Sequence, residues 1–305
     1  MMNVLIIKLG ALGDVVRTTP LLRVLEGNIT WVTAARAVPL LRGNPHINRL
    51  LSIEEGRDAL IGEKYDLVIN LEDDEAAAKL ASDCGKGTIV GAYMGEQGVR
   101  YTESASAWFD MSLISRFGKA KADELKKSNR KTYQEFAFTM VGRPFRGEEY
   151  ILNAPLTKAT EANLVGLEAR AGDVWPMKRW NKYEELAERL RGAGFKIKIF
   201  QQRESLLDYV DDINECEYVV CGDTLAMHLG LALRKKVAAI FTCTTPYEIY
   251  DYGRMIPIVS PLYTTYFYRR DFVPEAADAI PTDSVFQVVQ QLAETAPAIH
   301  QDSTR

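Results

Sequence analysis

The sequence predicts an α/β protein made of two Rossmann-like domains that face each other across a central cleft. Short apolar runs rich in β-branched residues alternate with amphipathic helical patterns, and this alternation occurs twice along the 305 residues. Runs that are apolar on both faces and separated by helices are typical of a parallel sheet covered on both sides. A chain of this length is also comfortable for two domains of about 150 residues.

In the first half, five runs predict strands: NVLIIKL, ITWVTA, RLLSI, YDLVINL and GTIVGAY. Helical patterns occupy 14–26, 74–82 and 129–141. The stretch GRPFRGEEYILNAP that follows is rich in proline, glycine and charge, which is typical of a linker. We therefore assign 1–150 to an N-terminal Rossmann-like domain.

The pattern then restarts. Strands are predicted at NLVGLEA, FKIKIF, EYVVCG and KVAAIF, and helices at 182–194, 204–214, 224–234 and 283–293. The second Rossmann-like domain spans 151–282, and 283–305 forms a C-terminal helix and tail. Residues 295–305 are expected to fray. Ligands of such sheets bind beyond the carboxyl ends of the strands, so those ends are where we look for chemistry.

Composition excludes several classes of protein. Apolar residues make up 47% and charged residues 26%, which is typical of a soluble globular chain. The net charge is −4, with 20 Lys/Arg against 20 Asp/Glu in residues 1–150 and 17 against 21 in the rest. A nucleic-acid binder usually carries a basic excess, and this chain has none.

Cysteines and apolar runs give the expected compartment. Cys84, Cys216, Cys221 and Cys243 form no CxxC pair and have no histidine at ligand spacing, so buried thiols are predicted, without a zinc site or disulfide framework. No apolar run approaches the roughly 18 residues that span a bilayer. The N-terminal apolar stretch is interrupted by charge and lacks a basic leader, unlike a signal peptide. We expect a cytoplasmic protein that at most rests on a membrane.

The first motif is GALGD, which follows the first strand directly. Gly10 and Gly13 permit a tight turn, yet the spacing is not that of the GxGxxG fingerprint. Asp14 either caps the helix that follows or accepts a proton from a substrate hydroxyl as a general base. Thr18 and Thr19, one turn further on, either line the cleft or pack.

The second motif is WPMKRW, at the end of the first strand of the second half. Lys178 near backbone amides suits a diphosphate, whose negative charge must be neutralised as its bond breaks. The alternative is a solvated basic turn formed by Lys178 and Arg179. Trp175 and Trp180 either pack or stack on a ligand.

Two further motifs follow the next strands. In CGDTLAMHLGLAL, Asp223 and Thr224 stand at a predicted helix N-terminus, where free amides and the helix dipole favour anions. His228 lies on the same helix face as Thr224 and is either a hydrogen-bonded core histidine or an acid. FTCTTP, at 241–246, offers threonine hydroxyls to a sugar or phosphate.

In this order, at four strand ends, the motifs resemble glycosyltransferase family 9, the ADP-heptose:lipopolysaccharide heptosyltransferases, over nearly the whole chain. IIKLGALGDVVRTTPLL is similar to the start of that family, and WPMKRW to its K-x-W box. GDTLAMHLGLAL resembles its D-[ST]-G-x-x-H-[IL]-x-A-A-L box, and AIFTCTTP its A-L-F-G-P-T-x-P.

The resemblance implies a GT-B fold and an inverting transfer of heptose, or a related sugar, from an ADP-sugar to a hydroxyl of a lipopolysaccharide core or other bacterial surface glycan. It implies no metal and no cofactor. Asp14 would be the base, with Gly13, Thr18 and Thr19 on the acceptor side. The donor residues that it implies are Lys178, Asp223, Thr224, Leu225, Ala226, His228 and Thr244.

The chain departs from the family pattern at three points. Leu225 replaces the glycine after Asp-[ST], where the backbone would approach a phosphate, and Thr242-Cys243 replaces Gly-Pro. Only residues 201–216 separate FKIKIF from EYVVCGD, where the family fits an additional strand and helix with an acidic residue for the donor ribose. Glu204 is the nearby acid that could take that role.

A basic run at 116–131 contains seven Lys/Arg against two acids. It is either a solvated loop or, since the resemblance places it near the acceptor side, a surface for an anionic glycolipid or glycan. The lysines in question are Lys119, Lys121, Lys126 and Lys127. Basic residues near an anionic bilayer contribute roughly 1 kcal/mol each, so peripheral contact with the cytoplasmic face of the inner membrane is a further expectation.

Two other functions stay open at this point. Leu225 and the short 201–216 segment suggest a sugar-nucleotide or glycan-binding protein that keeps the fold without catalysis. A nicotinamide oxidoreductase is disfavoured, because GxGxxG and an acid after the second strand are both missing. The acidic stretch 72–75, EDDE, opens a predicted helix and is interpreted as capping charge, not as a metal motif.

Overall fold

The computed structural model describes residues 1–295, and its internal contacts divide the chain into two compact units. The first unit consists of Met1–Pro155 together with Tyr247–Tyr250. The second consists of Leu156–Pro246 and the described residues from Asp251 onward. The frayed tail expected at 295–305 lies, except for Thr295, outside the described residues.

The described part of the first unit forms a six-stranded sheet in the order β3-β2-β1-β4-β5-β6. All neighbouring strands are parallel except β5 and β6, which pair antiparallel. The five predicted strands are confirmed, and β6 was not predicted. The strands are β1 (Asn3–Ile7), β2 (Asn28–Thr33), β3 (Arg49–Ser52), β4 (Tyr65–Asn70), β5 (Gly85–Gly95) and β6 (Gly98–Tyr101).

The central strand β1 shows why this sheet needs cover on both faces. Val4 and Ile6 pack in one hydrophobic cluster, whereas Leu5 and Ile7 pack in another, and all four are fully buried. Because successive side chains of a strand point to opposite faces, an unbroken apolar run requires a layer of helices on each side.

Seven α-helices cover the first unit within the described residues: α1 (Leu12–Thr18), α2 (Val38–Leu41), α3 (Ile53–Ala59), α4 (Glu75–Cys84), α5 (Ser106–Phe109), α6 (Lys119–Ser128) and α7 (Tyr133–Met140). The helix predicted over 14–26 is shorter than expected. It ends at Thr18 and continues as a 3-10 turn over Thr19–Arg23, because Pro20 lacks an N–H and its ring clashes with the preceding α-helical turn.

The basic run does not form a loop over its central part. Residues Lys119–Ser128 are helical, so the loop interpretation is wrong there. The next helix, predicted from 129, begins at Tyr133 because Thr132 forms a capping box with Glu135.

The described part of the second unit forms a five-stranded parallel sheet in the order β11-β10-β9-β7-β8. Its strands are β7 (Glu161–Glu168), β8 (Lys196–Ile199), β9 (Cys216–Gly222), β10 (Lys236–Phe241) and β11 (Met255–Val259). Four of these match predicted strands, and β11 was missed. The helices are α8 (Tyr183–Gly192), α9 (Leu206–Glu215), α10 (Leu225–Ala232), α11 (Pro274–Asp278) and α12 (Thr282–Glu294).

The short 201–216 connection holds one helix and no strand. Helix α9 alone leads from β8 to β9, which pairs with β7 and β10. Strand β8 is therefore an edge strand of this sheet within the described residues. The expectation that this chain lacks an additional strand and helix here is confirmed.

Buried charges fix α9 to the first residues of the second unit. The side chain of Asp212 is 1% exposed and accepts hydrogen bonds from Lys158 (2.5 Å), Lys198 (2.6 Å) and Arg203 (2.5 Å). Burial alone would raise the pKa of Asp212, but these three cations lower it below its ordinary value. Asp211 accepts from the backbone N–H groups of Thr157 and Lys158. The helix and the chain entering this unit are thus held together by charge.

Two expectations from the sequence concern the cysteines and the apolar runs. All four cysteines are buried free thiols, as predicted, and burial raises the pKa of Cys216 to about 12. Across residues 1–295, no helix is both long and apolar enough to cross a membrane.

We expect Asp212→Asn to destabilise the protein by about 2 kcal/mol, because Lys158, Lys198 and Arg203 lose the buried anion that they share, although Glu215 still pairs with the two lysines. The cations are partly exposed, which keeps the effect below that of a fully buried pair. Urea unfolding at neutral pH measures it. The matched control is Asp208→Asn on the exposed face of α9, for which we expect less than about 0.5 kcal/mol. Equal effects of the two substitutions would contradict this account.

Candidate active site

The first candidate cluster, which lies in the first unit, is the turn between β1 and α1. The Lys8 ammonium is buried and donates to Gly10 O and to Glu72 Oε1, each at 2.7 Å. The same Glu72 oxygen accepts from the backbone N–H groups of Leu9 (2.7 Å) and Gly10 (3.1 Å). Burial opposes charge on Lys8, but Glu72 and then Asp14 offset it and raise the pKa of Lys8. A buried ion pair therefore shapes the turn.

Glu72 is a neighbour of the glycine turn that the sequence did not reveal. The stretch 72–75 was interpreted as helix-capping charge, which holds for Asp74, whose side chain accepts from Ala77 N at 3.0 Å. For Glu72 that interpretation is wrong, since its carboxylate binds the glycine turn of another strand end. The sequence signal was weak: a lysine inside one strand and an acid two residues beyond another.

Asp14 lies in the first turn of α1. Its Oδ2 accepts from Ala11 N at 3.2 Å, so the capping contact exists, and its Oδ1 pairs with Arg17 Nη2 at 2.9 Å. The side chain of Asp14 remains 32% exposed, whereas that of Arg17 is 10% exposed and lies over the Tyr133 ring at 4.1 Å. The aspartate is therefore oriented by contacts within the first unit.

The other residues predicted on the acceptor side divide into buried and exposed groups. Gly13, Thr18 and Thr19 are buried in α1 and the following turn. Thr18 Oγ1 lies 2.7 Å from both Asp14 O and Tyr133 Oη, and Thr19 Oγ1 accepts from Ile151 N at 2.9 Å. These contacts favour packing as the role of the two threonines.

The basic helix α6 presents its lysines in different settings. Lys119 and Lys121 are exposed and pair with Asp123 and Glu124 on the same helix. Lys127 is exposed too. Lys126 is more enclosed: its ammonium lies 5.7 Å from the Trp108 ring centroid and 3.9 Å from a carboxylate oxygen of Glu248. The structure thus brings Lys126, but not Lys119, onto the Trp108 ring that Arg17 also contacts.

A second, separately described candidate cluster lies at the strand ends of the second unit. Lys178 Nζ donates to Asp223 Oδ2 at 2.7 Å and to Asp223 O at 2.8 Å. Burial alone would raise the pKa of Asp223. The charge and hydrogen bond of Lys178 outweigh it, with contributions from His228 and Thr244, and lower the pKa to about 2. Two residues predicted to bind the donor therefore form one ion pair.

Close packing holds the Lys178 turn against the ends of β9 and β10. A Cβ on Gly222 would lie 2.9 Å from Lys178 O, so only glycine fits there. Thr242, which stands where the family pattern has glycine, donates its hydroxyl to Met177 O at 2.6 Å. This departure from the pattern thus has a structural role.

Helix α10 begins directly beyond this ion pair. Thr224 is its N-cap residue and its Oγ1 is buried without a hydrogen-bond partner, while Leu225 and Ala226 form the first turn. Leu225 is half-buried, and His228 and Thr244 are buried at 5% and 4% exposure. All the predicted donor residues except Glu204 therefore belong to this cluster.

Glu204 is exposed, immediately before Ser205, which caps α9. A second acid, missed in the sequence, occupies the end of β7. Glu168 is 4% exposed and accepts from Arg170 Nε (2.7 Å), Arg170 Nη2 (2.6 Å) and Tyr209 Oη (2.5 Å). An acid ending an apolar strand, with arginine two residues later, was the available signal.

The two tryptophans of WPMKRW have different roles. Trp180 is 1% exposed and donates its indole N–H to Ile280 O at 3.0 Å, so it packs. Trp175 is half-buried, and its ring lies 5.5 Å from Lys178 Nζ and 4.9 Å from Arg270 Cζ. Arg270 is therefore a further charged neighbour of the site.

No protein-family model and no curated protein matches this sequence. Solved structures do match. A glycosyl transferase family 9 protein from Veillonella parvula DSM 2008 aligns at a TM-score of 0.68 and 17% identity, covering 95% of this chain and 97% of its own. Escherichia coli heptosyltransferase WaaC with ADP-2-deoxy-2-fluoro heptose aligns at 0.60 and 19%, covering 95% and 99%. Escherichia coli ADP-heptose lps heptosyltransferase II aligns at 0.62 and 18%, covering 95% and 98%.

The chain has the GT-B fold of these proteins. The likeness extends over both units, so the resemblance seen in the four motifs is confirmed at the level of the fold. At these identities the comparison speaks for the fold, and the roles of individual residues depend on the geometry described above.

A metal ion would need several His, Cys, Asp or Glu side chains that converge on one point. Within residues 1–295, no three His, Cys, Asp or Glu side chains converge as ligands for an ion. The acid nearest the donor cluster, Asp223, has its Oδ2 committed to Lys178. The cluster is built around an ammonium and helix amides.

We expect Lys178→Met to destabilise the protein by about 2 kcal/mol at pH 7, because Asp223 is then ionised in a half-buried site without its cation. In the wild type, the pKa of Asp223 is lower in the folded protein than in the unfolded chain. The ionised carboxylate therefore stabilises the folded state above about pH 4, and this contribution is lost as the pH falls towards 2. In the variant, burial raises the pKa of Asp223, because Lys178 no longer offsets it. The difference in the free energy of unfolding between wild type and variant should therefore become smaller as the pH falls from 7 to 4.

Urea unfolding across pH 3–8 measures this difference. Arg179→Met, which changes the exposed neighbouring cation, is the control and should follow the wild-type profile. If Lys178→Met lowers the free energy of unfolding by the same amount at every pH in this range, then the ionisation of Asp223 does not depend on Lys178.

Proposed function

We propose that this chain is an inverting glycosyltransferase that transfers heptose, or a related sugar, from an ADP-sugar to a hydroxyl of an anionic bacterial surface glycan. The observation that carries the proposal is the Lys178–Asp223 pair at the N-terminus of α10, in a chain with the heptosyltransferase fold. A cation and free helix amides at one point suit a diphosphate.

In this proposal the first unit supplies the base. Asp14 accepts the proton of the acceptor hydroxyl while that oxygen attacks the anomeric carbon of the donor sugar. The bond between that carbon and the phosphate oxygen breaks, and its electron pair leaves with the nucleoside diphosphate. Because one displacement occurs, the configuration inverts. Arg17 and Ala11 N hold the carboxylate in place for this step.

The second unit holds the donor. Lys178 contacts the diphosphate, the amides of Leu225 and Ala226 face its oxygens, and Asp223 accepts from sugar hydroxyls. Thr224 has a buried hydroxyl without a hydrogen-bond partner, which supports a polar ligand beside it, and Thr244 contacts Asp223 in the same cluster. The leaving group is stabilised by these groups, without a metal ion. Glu204 remains a candidate for the ribose.

The acceptor is proposed to be anionic because of helix α6. The helix contains four lysines against two acids, and this excess of positive charge suits phosphate or carboxylate groups. Such an acceptor at the cytoplasmic face of the inner membrane would place the protein there as a peripheral partner.

Asp14→Asn should lower kcat by about 10²–10⁴-fold, because the amide cannot accept the proton, while donor affinity stays within about twofold of wild type. Turnover with ADP-heptose and calorimetric titration with ADP measure the two quantities. Asp58→Asn, an exposed acid of α3, serves as the control and should leave both unchanged. Near-normal turnover by Asp14→Asn would refute the assignment of the base.

A second candidate is a sugar-nucleotide or glycan-binding protein without catalysis. Leu225 favours it, since a half-buried leucine side chain stands at the start of α10 where the family pattern has glycine. The short connection through α9 favours it too. Titration with ADP and ADP-heptose, combined with an assay for slow donor hydrolysis, separates the two. Binding without hydrolysis or transfer to any glycan acceptor would support this candidate, and we expect turnover instead.

A further inference from the structure

An aromatic segment, defined here as residues 260–272, follows β11 and packs beside the cluster that contains Lys178 and Asp223. It contains Tyr263, Tyr266, Phe267, Tyr268 and Phe272. The backbone N–H of Tyr268 donates to Cys243 O at 2.8 Å, in the threonine-rich loop after β10. The Tyr268 ring meets the Trp175 ring edge to face, with centroids 5.5 Å apart. The segment is therefore attached to both motifs that flank the donor cluster.

This attachment brings two cations to one indole. Lys178 Nζ lies 5.5 Å from the Trp175 ring centroid, and the Arg270 guanidinium carbon lies 4.9 Å from it. Trp175 is tied to Lys178 directly, because its carbonyl accepts from Lys178 N at 3.0 Å. Arg270 is 92 residues from Lys178 in the sequence, so only the fold brings them together.

The charge balance of the cluster shows why a second cation matters. Lys178 binds Asp223 at 2.7 Å, and the low pKa of Asp223 keeps it ionised, so this pair has no net charge. The helix N-terminus adds roughly half an elementary charge. A nucleoside diphosphate carries at least two negative charges and gains one more when its bond to the sugar breaks. Lys178 alone cannot balance that charge.

We propose that Arg270 is the second cation of the donor site and binds the diphosphate of a nucleoside diphosphate or nucleotide sugar. This inference rests on the proposed function and adds a residue to it. A guanidinium can donate two parallel hydrogen bonds to phosphate oxygens, and stacking on an indole leaves its N–H edge free to do so. Trp175 then acts as the platform that orients Arg270.

The adjacent arginine offers a matched control. Arg269 is exposed like Arg270, but its guanidinium binds Asp271, with Nε and Nη2 at 2.8 and 2.6 Å from the same carboxylate oxygen. Its carbon lies over the Tyr266 ring at 5.8 Å, away from Trp175. Arg269 and Arg270 are both exposed and both positively charged. They differ in their contacts, since Arg269 binds Asp271 whereas Arg270 lies over Trp175.

The test is calorimetric titration of wild type, Arg270→Ala, Arg270→Lys and Arg269→Ala with ADP, AMP and adenosine. We expect Arg270→Ala to raise the Kd for ADP at least about tenfold, to affect AMP less, and to leave adenosine unchanged. Arg270→Lys should recover part of the loss, because it keeps the charge without the paired donors. Arg269→Ala should stay within about twofold of wild type for all three ligands. Thermal unfolding of each variant checks that the fold is intact.

The outcomes separate this inference from the proposed function. If wild type binds ADP and Arg270→Ala binds it equally well, the role of Arg270 is overturned and the proposed function stands. An equal loss of ADP affinity in Arg269→Ala and Arg270→Ala also overturns it, since general surface charge would then be the cause. If wild type binds none of ADP, GDP and UDP, the proposed function fails and the inference fails with it.

Discussion

Parallel pairing of the strands is the constraint on which both units depend. Each parallel connection must return the chain to the same end of the sheet, in most cases here through a helix, so the turns that follow the strands gather at the carboxyl edge. The turn with Asp14, the Lys178 turn and the start of α10 are all such places. Within one sheet, polar residues that are far apart in sequence thereby become neighbours at this edge.

A buried ion pair stands at the functional edge of each unit. Lys8 with Glu72 shapes the turn that carries Asp14, and Lys178 with Asp223 stands before α10. Such pairs contribute little net stability, because desolvation of both charges offsets their attraction. Their value here is positional, since each fixes a loop that could otherwise adopt many conformations. In the second pair the charge of Lys178 is balanced by Asp223, which is the reason for proposing a second cation nearby.

Much of the fold and part of the site could be predicted from local pattern. Nine of the eleven strands were predicted, because their apolar β-branched runs are long and bounded by turn residues. The antiparallel hairpin strand β6 and the short β11 carry weaker patterns and were missed. The helix predicted over 14–26 ends at Thr18 in the structure, because Pro20 has no N–H to donate and its ring disfavours the α-helical turn before it. The donor motifs at Lys178 and Asp223 were visible as residue types after strands.

What the sequence by itself determined was the alternation of strands and helices, the two-unit organisation and the polar residues at strand ends. These follow from periodicity and from nearest neighbours in the chain. The tertiary structure decided the partners: Glu72 for the Asp14 turn, Thr242 for the Lys178 turn and Arg270 for Trp175. Each of these contacts joins residues more than sixty positions apart, and no local pattern encodes a distance that depends on how the whole sheet is assembled.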